Sequence, residues 1–450
     1  MRETTFQAPS ARLGGRPRIA VIGAGVSGLT AAHRLSSTHE VSVFESEPRL
    51  GGHSSTIFVE TDSGAQPIDT GFIVFNDRNY PNFNELLDEI GAEHVPSNMS
   101  FSVSDESGDF EYAGSSPNAL YATRSNIVNP RFHRMVGELV RFNREAKRFV
   151  RSGANDDISL REYLASGGYS EFFVERLIVP QVSAVWSTDP AQLYEFPARI
   201  VFQFFDNHGI LELTGRPQWR TIKGGSTEYV KKLTAAFDDG IHTGVAAEAV
   251  RRGENGVAIK LSNGAEAVFD EVVIATHSDQ ALELLVDPTE AERGILGAIP
   301  YVDNDVVLHT DITLLPRRRA ARSSWNFHLL DQPRDRTTVT YWMNNLQPIP
   351  GDVDYCVTLN LSDKIDPSEV ICEQNFSHPV FTAAGLEAQQ RHHEISGVNR
   401  THYCGAYWRW GFHEDGVWSG IRAAAAITAG MSTAEPATSS RLADSDMEVV

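Results

Sequence analysis

The residues with the clearest chemical purpose stand near the start of the chain: Gly23-x-Gly25-x-x-Gly28, directly after the apolar run Ile19-Ala20-Val21-Ile22. Glycine at the first position allows a sharp strand-to-helix turn. At the second it lets a diphosphate come close to the backbone, and at the third it lets the helix pack tightly on the strand. The helix N-terminus then offers unpaired N–H groups and a partial positive charge. Glu45 follows a second apolar run, Val41-Ser42-Val43-Phe44. A carboxylate there accepts ribose hydroxyls and disfavours a 2′-phosphate. Arg49-x-Gly51-Gly52 adds a second glycine turn. Strand, glycine turn, helix, strand, acid and second turn together spell a dinucleotide-binding βαβ unit, with a suffix that points to FAD rather than NAD.

Other side chains invite chemistry with less direction. His413-Glu414 precedes a helical run and could supply a base or acid, or simply cap the helix. His309 and Asp311 alternate on a predicted strand, with His328 on a strand-like segment nearby. Alternation puts the first two on one side, as a proton relay or as hydrogen bonding within a domain. His413, Glu414 and His309 are the candidate catalytic groups. Tyr403, Tyr407, Trp408, Trp410 and Phe412 crowd one segment. Tyr407, Trp408, Trp410 and Phe412 are candidates to wall a substrate cavity, although large aromatics also pack cores. Cys356, Cys372 and Cys404 are scattered without a CxxC, so neither a metal site nor a disulfide framework is expected.

These residues need elements to position them. Residues 17–75 hold the βαβ unit, 80–90 a short helix, 98–112 strands, and 129–213 helices. After Gly224-Gly225 a helix and a meander follow, with Asn255-Gly256 and Asn263-Gly264 as hairpin turns. Residues 270–276 read as a buried parallel strand. Alternation at 304–311, 337–343 and 355–361 predicts a second, largely antiparallel sheet, and 416–430 a last helix. The first strands and the last helix therefore belong together. The expected organisation is a discontinuous cofactor domain (17–75, 221–290, 396–430), a substrate domain (76–220, 291–395), a disordered leader (1–16) and a disordered tail (431–450).

A chain of 450 residues fits two domains. Its net charge of −20 argues against a nucleic-acid partner. No apolar run approaches the ~20 residues of a membrane helix, and residues 1–16 lack an apolar signal core, so a cytoplasmic location is expected. Residues 132–150 predict a helix with a basic face formed by Arg131, Arg134, Arg141, Arg144, Lys147, Arg148 and Arg151. That face could rest on anionic headgroups as a peripheral membrane contact, or be solvated.

With these motifs in hand, the chain resembles the flavin-containing amine oxidase family, which includes phytoene desaturases and protoporphyrinogen oxidases. The resemblance spans about residues 17–430. It rests on the glycine fingerprint, Arg49-x-Gly51-Gly52, Gly224-Gly225, residues 272–276 and residues 411–420. A bacterial branch known as predicted NAD/FAD-binding proteins is indicated by Asp69-Thr70-Gly71-Phe72, Leu308-His309-Thr310-Asp311 and Gly411-Phe412-His413-Glu414-Asp415-Gly416. The resemblance implies an α/β fold: a glutathione-reductase-like, FAD-binding Rossmann domain with an inserted mixed-sheet and helical substrate domain. It implies non-covalent FAD, with Glu45 on the ribose and Gly23, Gly25, Val26 and Arg49 near the pyrophosphate. Gly28 packs the helix, and Val245 meets adenine through its backbone. Gly51, Gly52 and Gly71 approach the flavin, and the N–H groups of Asp415, Gly416 and Val417 face flavin O2. Three positions depart from the family pattern. His53 replaces an arginine, Ala406 follows Cys404-Gly405 where an acid is usual, and Val306-Val307-Leu308-His309 stands where amine oxidases carry a lysine. The implied chemistry is hydride transfer from a substrate carbon to flavin N5. The substrate is an apolar fatty-acyl or polyprenoid molecule to be desaturated or rearranged, or an amine; a non-catalytic flavin-binding partner is the third reading. The sequence leaves the electron acceptor undefined.

Overall fold

In the computed structural model, residues 15–432 are described apart from 63, 153–157, 187–192, 213–214 and 333. Nearly all of the expected leader and tail therefore lies outside the described residues.

Five parallel strands form the first sheet, in the order Ile241–Thr243, Glu40–Glu45, Arg18–Ile22, Glu271–Ile274 and Thr401–Tyr403. Their central residues are apolar at successive positions, as strands covered on both faces require. Ile19, Ala20, Val21, Val272, Val273 and Ile274 are all fully buried. The helix Val26–Ser36 covers one face, and the last helix, His413–Ser432, lies against it. Glycine makes that close packing possible: a Cβ on Gly420 would sit 2.3 Å from the Ser27 carbonyl oxygen, and one on Gly416 2.6 Å from Val26 Cγ1. An antiparallel meander, Ala247–Gly253, Gly256–Leu261 and Glu266–Phe269, covers the other face. Its turns fall at Gly256 and Gly264, both with positive φ.

The second sheet has seven strands, ordered Val370–Pro379, Tyr301–His309, Cys356–Leu359, Val339–Trp342, Trp325–Leu329, Phe101–Asp105 and Glu111–Ala113. All neighbours are antiparallel except Trp325–Leu329 with Phe101–Asp105. The sheet is thus mixed, and its sequence reading as largely antiparallel is correct. Helices from the 124–207 region, chiefly Pro130–Arg151 and Ala198–Asn207, share one core with its apolar face. Val103, Val306, Phe327, Val339, Val357 and Leu359 supply the sheet's part of that core. The opposite face is polar and still buried. Ser102, Asn326, Thr340, Thr358 and His309 are all fully covered there, and each is bonded to a neighbour on the sheet, as buried polar groups must be.

Candidate functional site

The glycine turn is held from two sides. The Gly23 N–H donates to the Phe44 carbonyl at 2.9 Å, with a φ of +99° that only glycine adopts without strain. Glu45 closes the turn from the next strand. One carboxylate oxygen accepts the Ala24 N–H at 2.7 Å, and the other accepts the Glu47 N–H at 2.9 Å. Gly28 is a packing residue: a Cβ there would lie 2.1 Å from the Gly23 carbonyl oxygen and 2.9 Å from Ala275 Cβ. Gly25 differs. A Cβ there would meet no protein atom within 4 Å, and the residue lines a cavity. The second glycine turn locks to the first, because the Gly51 N–H donates to the Ala24 carbonyl at 2.8 Å.

From these turns one connected cavity of about 1310 Å³ runs between the two sheets. A single drug-sized ligand occupies ~300–1,000 Å³, so the space accommodates a cofactor and a substrate together. At one end Gly23, Gly25, Val26, Gly51, Gly52 and Glu45 share the wall with Ala246, Glu248, Gln280 and Glu283. At the other the wall is aromatic: Phe101, Trp325, Tyr341, Trp219 and Phe204. Phe412 stacks on Phe204 at 5.2 Å between centroids, and Phe204 stacks on His208 at 3.9 Å. Gly71, Tyr407, Trp410 and His413 lie along the length between these ends.

The imidazoles of this wall are neutral at pH 7. His413 Nε2 is hydrogen-bonded to Ser54 Oγ at 2.9 Å and to Tyr229 Oη at 3.2 Å, and its ring stacks on Phe72 at 3.5 Å. Burial pulls its pKa down to about 3. Burial likewise takes His208 down to about 4. It lowers His378 to about 4 as well, aided by His277. His53 packs against Phe376 and His378 at 4.9 and 5.3 Å, and its buried Nε2 has no hydrogen-bond partner. Burial first, then His378, holds it well below the usual imidazole range.

Gly25, where a Cβ would meet no atom among the described residues, and the N-terminus of the helix Val26–Ser36 that it caps fit a dinucleotide diphosphate. Against that geometry, the model of the flavin containing amine oxidoreductases matches residues 26–344, more than half the chain. The chain belongs to this family. It is a flavin-dependent oxidoreductase. Solved structures share the fold throughout. Cyclohexylamine oxidase from Brevibacterium oxydans is 17% identical with a TM-score of 0.67, covering 93% of this chain and all of its own. A putative protoporphyrinogen oxidase from Exiguobacterium is 16% identical, with a TM-score of 0.64 and coverage of 92% and 99%. A fatty acid isomerase from P. acnes that produces CLA is 16% identical, with a TM-score of 0.65 and coverage of 92% and 98%.

Within this flavoprotein several residues named from sequence stand elsewhere than expected. Glu414 does not face the cavity. Its carboxylate accepts the Asn82 and Phe83 N–H groups and the Asn82 side chain, capping the helix Pro81–Glu89. His309 lies on the polar face of the second sheet, opposite the cavity-lining Val306. Its Nδ1 accepts the Asp311 N–H at 3.1 Å, so Nε2 carries the proton toward Thr358 Oγ1 at 2.7 Å. Thr340 continues the chain to His328, and the whole is a structural network away from the cavity. Trp408 points into the first-sheet core beside His392 rather than into the cavity. Arg49 donates to the Gly52 carbonyl at 2.7 Å and shapes the second turn without lining the cavity. The Val245 N–H is taken by the Glu45 carbonyl at 2.9 Å, and the wall there is formed by its neighbours Ala246 and Ala247. Asp415, Gly416 and Val417 are buried one layer behind the wall. Asp415 accepts the Phe412 N–H at 2.9 Å, and burial pushes its pKa up to about 7.

The sequence reading missed His208, His378, Trp219 and Tyr341 as wall residues. Only Tyr341 carried a signal, through its alternation with Val339 on a strand.

Proposed function

We propose that this enzyme holds FAD non-covalently and desaturates or rearranges an apolar fatty-acyl or polyprenoid substrate. The observation that carries the substrate reading is the charge of the cavity. Among the described lining residues every carboxylate, Glu45, Glu248 and Glu283, sits at the glycine-turn end. The aromatic end offers none, and a protonated amine buried there would lack its counter-charge. Val306, the cavity-lining member of the stretch Val306-Val307-Leu308-His309 that stands where amine oxidases carry a lysine, points the same way. The fatty acid isomerase shows that this fold serves a fatty acid in another protein. None of the three cysteines lines the cavity, and burial pushes the Cys404 thiol up to about 12, far from a reactive thiolate. That supports a dissociable cofactor.

Bound FAD supplies a two-electron, hydride-accepting centre. The protein's own share is enclosure and orientation. His413, neutral and fixed by Ser54 and Tyr229, is too weak a base to take a proton at pH 7. Its place is to present a fixed imidazole at the wall. The rings of Phe204, Phe412, Trp219 and Tyr341 exclude water and align a chain.

Acid precipitation should release all flavin to the supernatant. Anaerobic mixing with unsaturated and saturated fatty acids, polyprenoids and primary amines, followed by absorbance and product chromatography, tests the substrate class. Bleaching or product formation with the apolar set is expected. Bleaching by amines alone would replace this reading with C–N oxidation, for which the aromatic ladder could hold a cation through its ring faces.

A further inference from the structure

The helix Pro130–Arg151 has spent its apolar face on the core: Phe132, Met135, Phe142 and Ala146 are buried beneath it. Both of its carboxylates are also spent. Glu138 is buried and bonds Arg134 and Ser170, and Glu145 accepts the Tyr169 hydroxyl at 2.6 Å. What remains outside is cationic. Arg131, Arg144, Arg148 and Arg151 are exposed, and none pairs with a carboxylate among the described residues. At the start of the helix two aliphatic side chains stand in solvent, Ile127 at 52% exposure and Val128 at 82%. This surface occurs on a chain of net charge −20.

The basic face also continues to the cavity. Lys147 pairs with Glu212 at 2.6 Å. Close by, Arg216, Pro217 and Gln218 line the cavity, and Arg216 Nε donates to the Glu212 carbonyl at 3.0 Å. Arg78 donates to the Gly215 carbonyl at 2.9 Å beside them. Positive groups therefore run from Arg144, Arg148 and Arg151, past the Lys147–Glu212 pair, to Arg216 at the cavity wall.

We propose that this face docks the enzyme on an anionic lipid bilayer, with Ile127 and Val128 dipping into the headgroup layer and the cavity rim facing the membrane. Charge complementarity selects the occupant. The rest of the acidic molecule is repelled by such a surface, so only this orientation is attractive. Arg144, Arg148 and Arg151 fall within about 60° of one another on the helix, and with Arg131 and the two aliphatics at its start they suit a flat field of phosphates.

Flotation of the purified holoenzyme with phosphatidylglycerol-containing and pure phosphatidylcholine vesicles tests the docking without any substrate, so its failure is separable from a wrong substrate class. Binding only to the anionic vesicles, weakening with salt, is expected. Each of Arg131→Gln, Arg144→Gln, Arg148→Gln and Arg151→Gln should lower partitioning about fivefold. Circular dichroism and the flavin spectrum should stay unchanged, since none of the four holds a carboxylate. Lys223→Gln and Lys231→Gln, on other elements, should leave partitioning unaltered. Equal binding to both vesicle types, binding to neither, or binding unmoved by the combined arginine variant would overturn the proposal.

Discussion

The two ends of the cavity are built from different materials. The glycine-turn end is made of backbone: carbonyls, N–H groups and missing side chains, with Glu45 fastening the turn. The aromatic end is made of side chains gathered from four separate parts of the chain: Phe101, Phe204 with Trp219, Trp325 with Tyr341, and Phe412. A backbone solution tolerates few sequences, because each glycine answers one steric demand. A side-chain wall tolerates many, because rings of similar size substitute for one another. One end therefore identifies the cofactor, and the other leaves the substrate to experiment.

The largest effect should separate two glycines of one motif. In Gly28→Val the new side chain strikes the Gly23 carbonyl and Ala275. Overpacking of this kind costs ~1–3 kcal/mol or more, so the apoprotein should melt earlier or fail to fold. In Gly25→Val the side chain meets only cavity. The flavin-free protein should melt as wild type, while FAD affinity falls by ~100-fold or more, a loss of about 2.7 kcal/mol. Calorimetry of apoprotein and titration with FAD measure both. If Gly25→Val keeps full affinity, the diphosphate does not lie at this turn.

The legibility of the chain follows the same division. The parallel sheet and its closing helix were readable because apolar runs, glycine spacing and an acid after the second strand admit one arrangement. The distribution of side chains between faces was not. Tyr407 and Trp408 are neighbours in a 3₁₀ turn, Ala406–Trp408, where residues three apart share a side. Tyr407 lines the cavity while its neighbour Trp408 enters the core, and Trp410, beyond the turn, returns to the cavity. On the strand Tyr301–His309, alternation separates Val306 from His309 but does not say which face is the cavity. Helix register hid Glu414 in the same way, since one residue along from His413 it reaches the neighbouring helix instead.

Glu45 offers a middle-sized test. Its substitution by alanine removes the acceptor for the Ala24 and Glu47 N–H groups and, if FAD binds as proposed, for ribose hydroxyls. A lost hydrogen bond to a charged group is worth roughly 1.5–3 kcal/mol, so FAD affinity should fall about ten- to a hundredfold. Glu45→Gln keeps carbonyl acceptance and should fall less. Dialysis followed by flavin quantitation decides. Wild-type retention by Glu45→Ala would show that the acid only shapes the turn.

The smallest effect distinguishes the two regions by their protons. On the substrate side His208, His309, His328 and His378 are all held down to about 4 by burial. Their ordinary value is 6.5. Between these limits the unfolded chain binds protons that the native protein refuses. The stability these imidazoles permit is full above about pH 6.5 and is lost as pH falls toward 4. On the cofactor side burial lowers His392 to about 4 and His413 to about 3 in the same sense, but raises Asp69 to about 6 and Asp415 to about 7 from an ordinary 3.8. A raised carboxyl works in the opposite sense: its contribution is full below 3.8 and is lost as pH rises through 6 to 7. Six imidazoles outweigh two carboxyls, so the melting temperature should fall on acidification from pH 6.5 to 4. His309→Gln keeps a donor for Thr358 but takes up no proton in the unfolded chain. It should flatten the fall by about one proton's worth of slope. A wild-type protein more stable at pH 5 than at pH 7, or a His309→Gln curve parallel to wild type, would mean that the polar face of the second sheet opens to water and that its histidines titrate in the folded state.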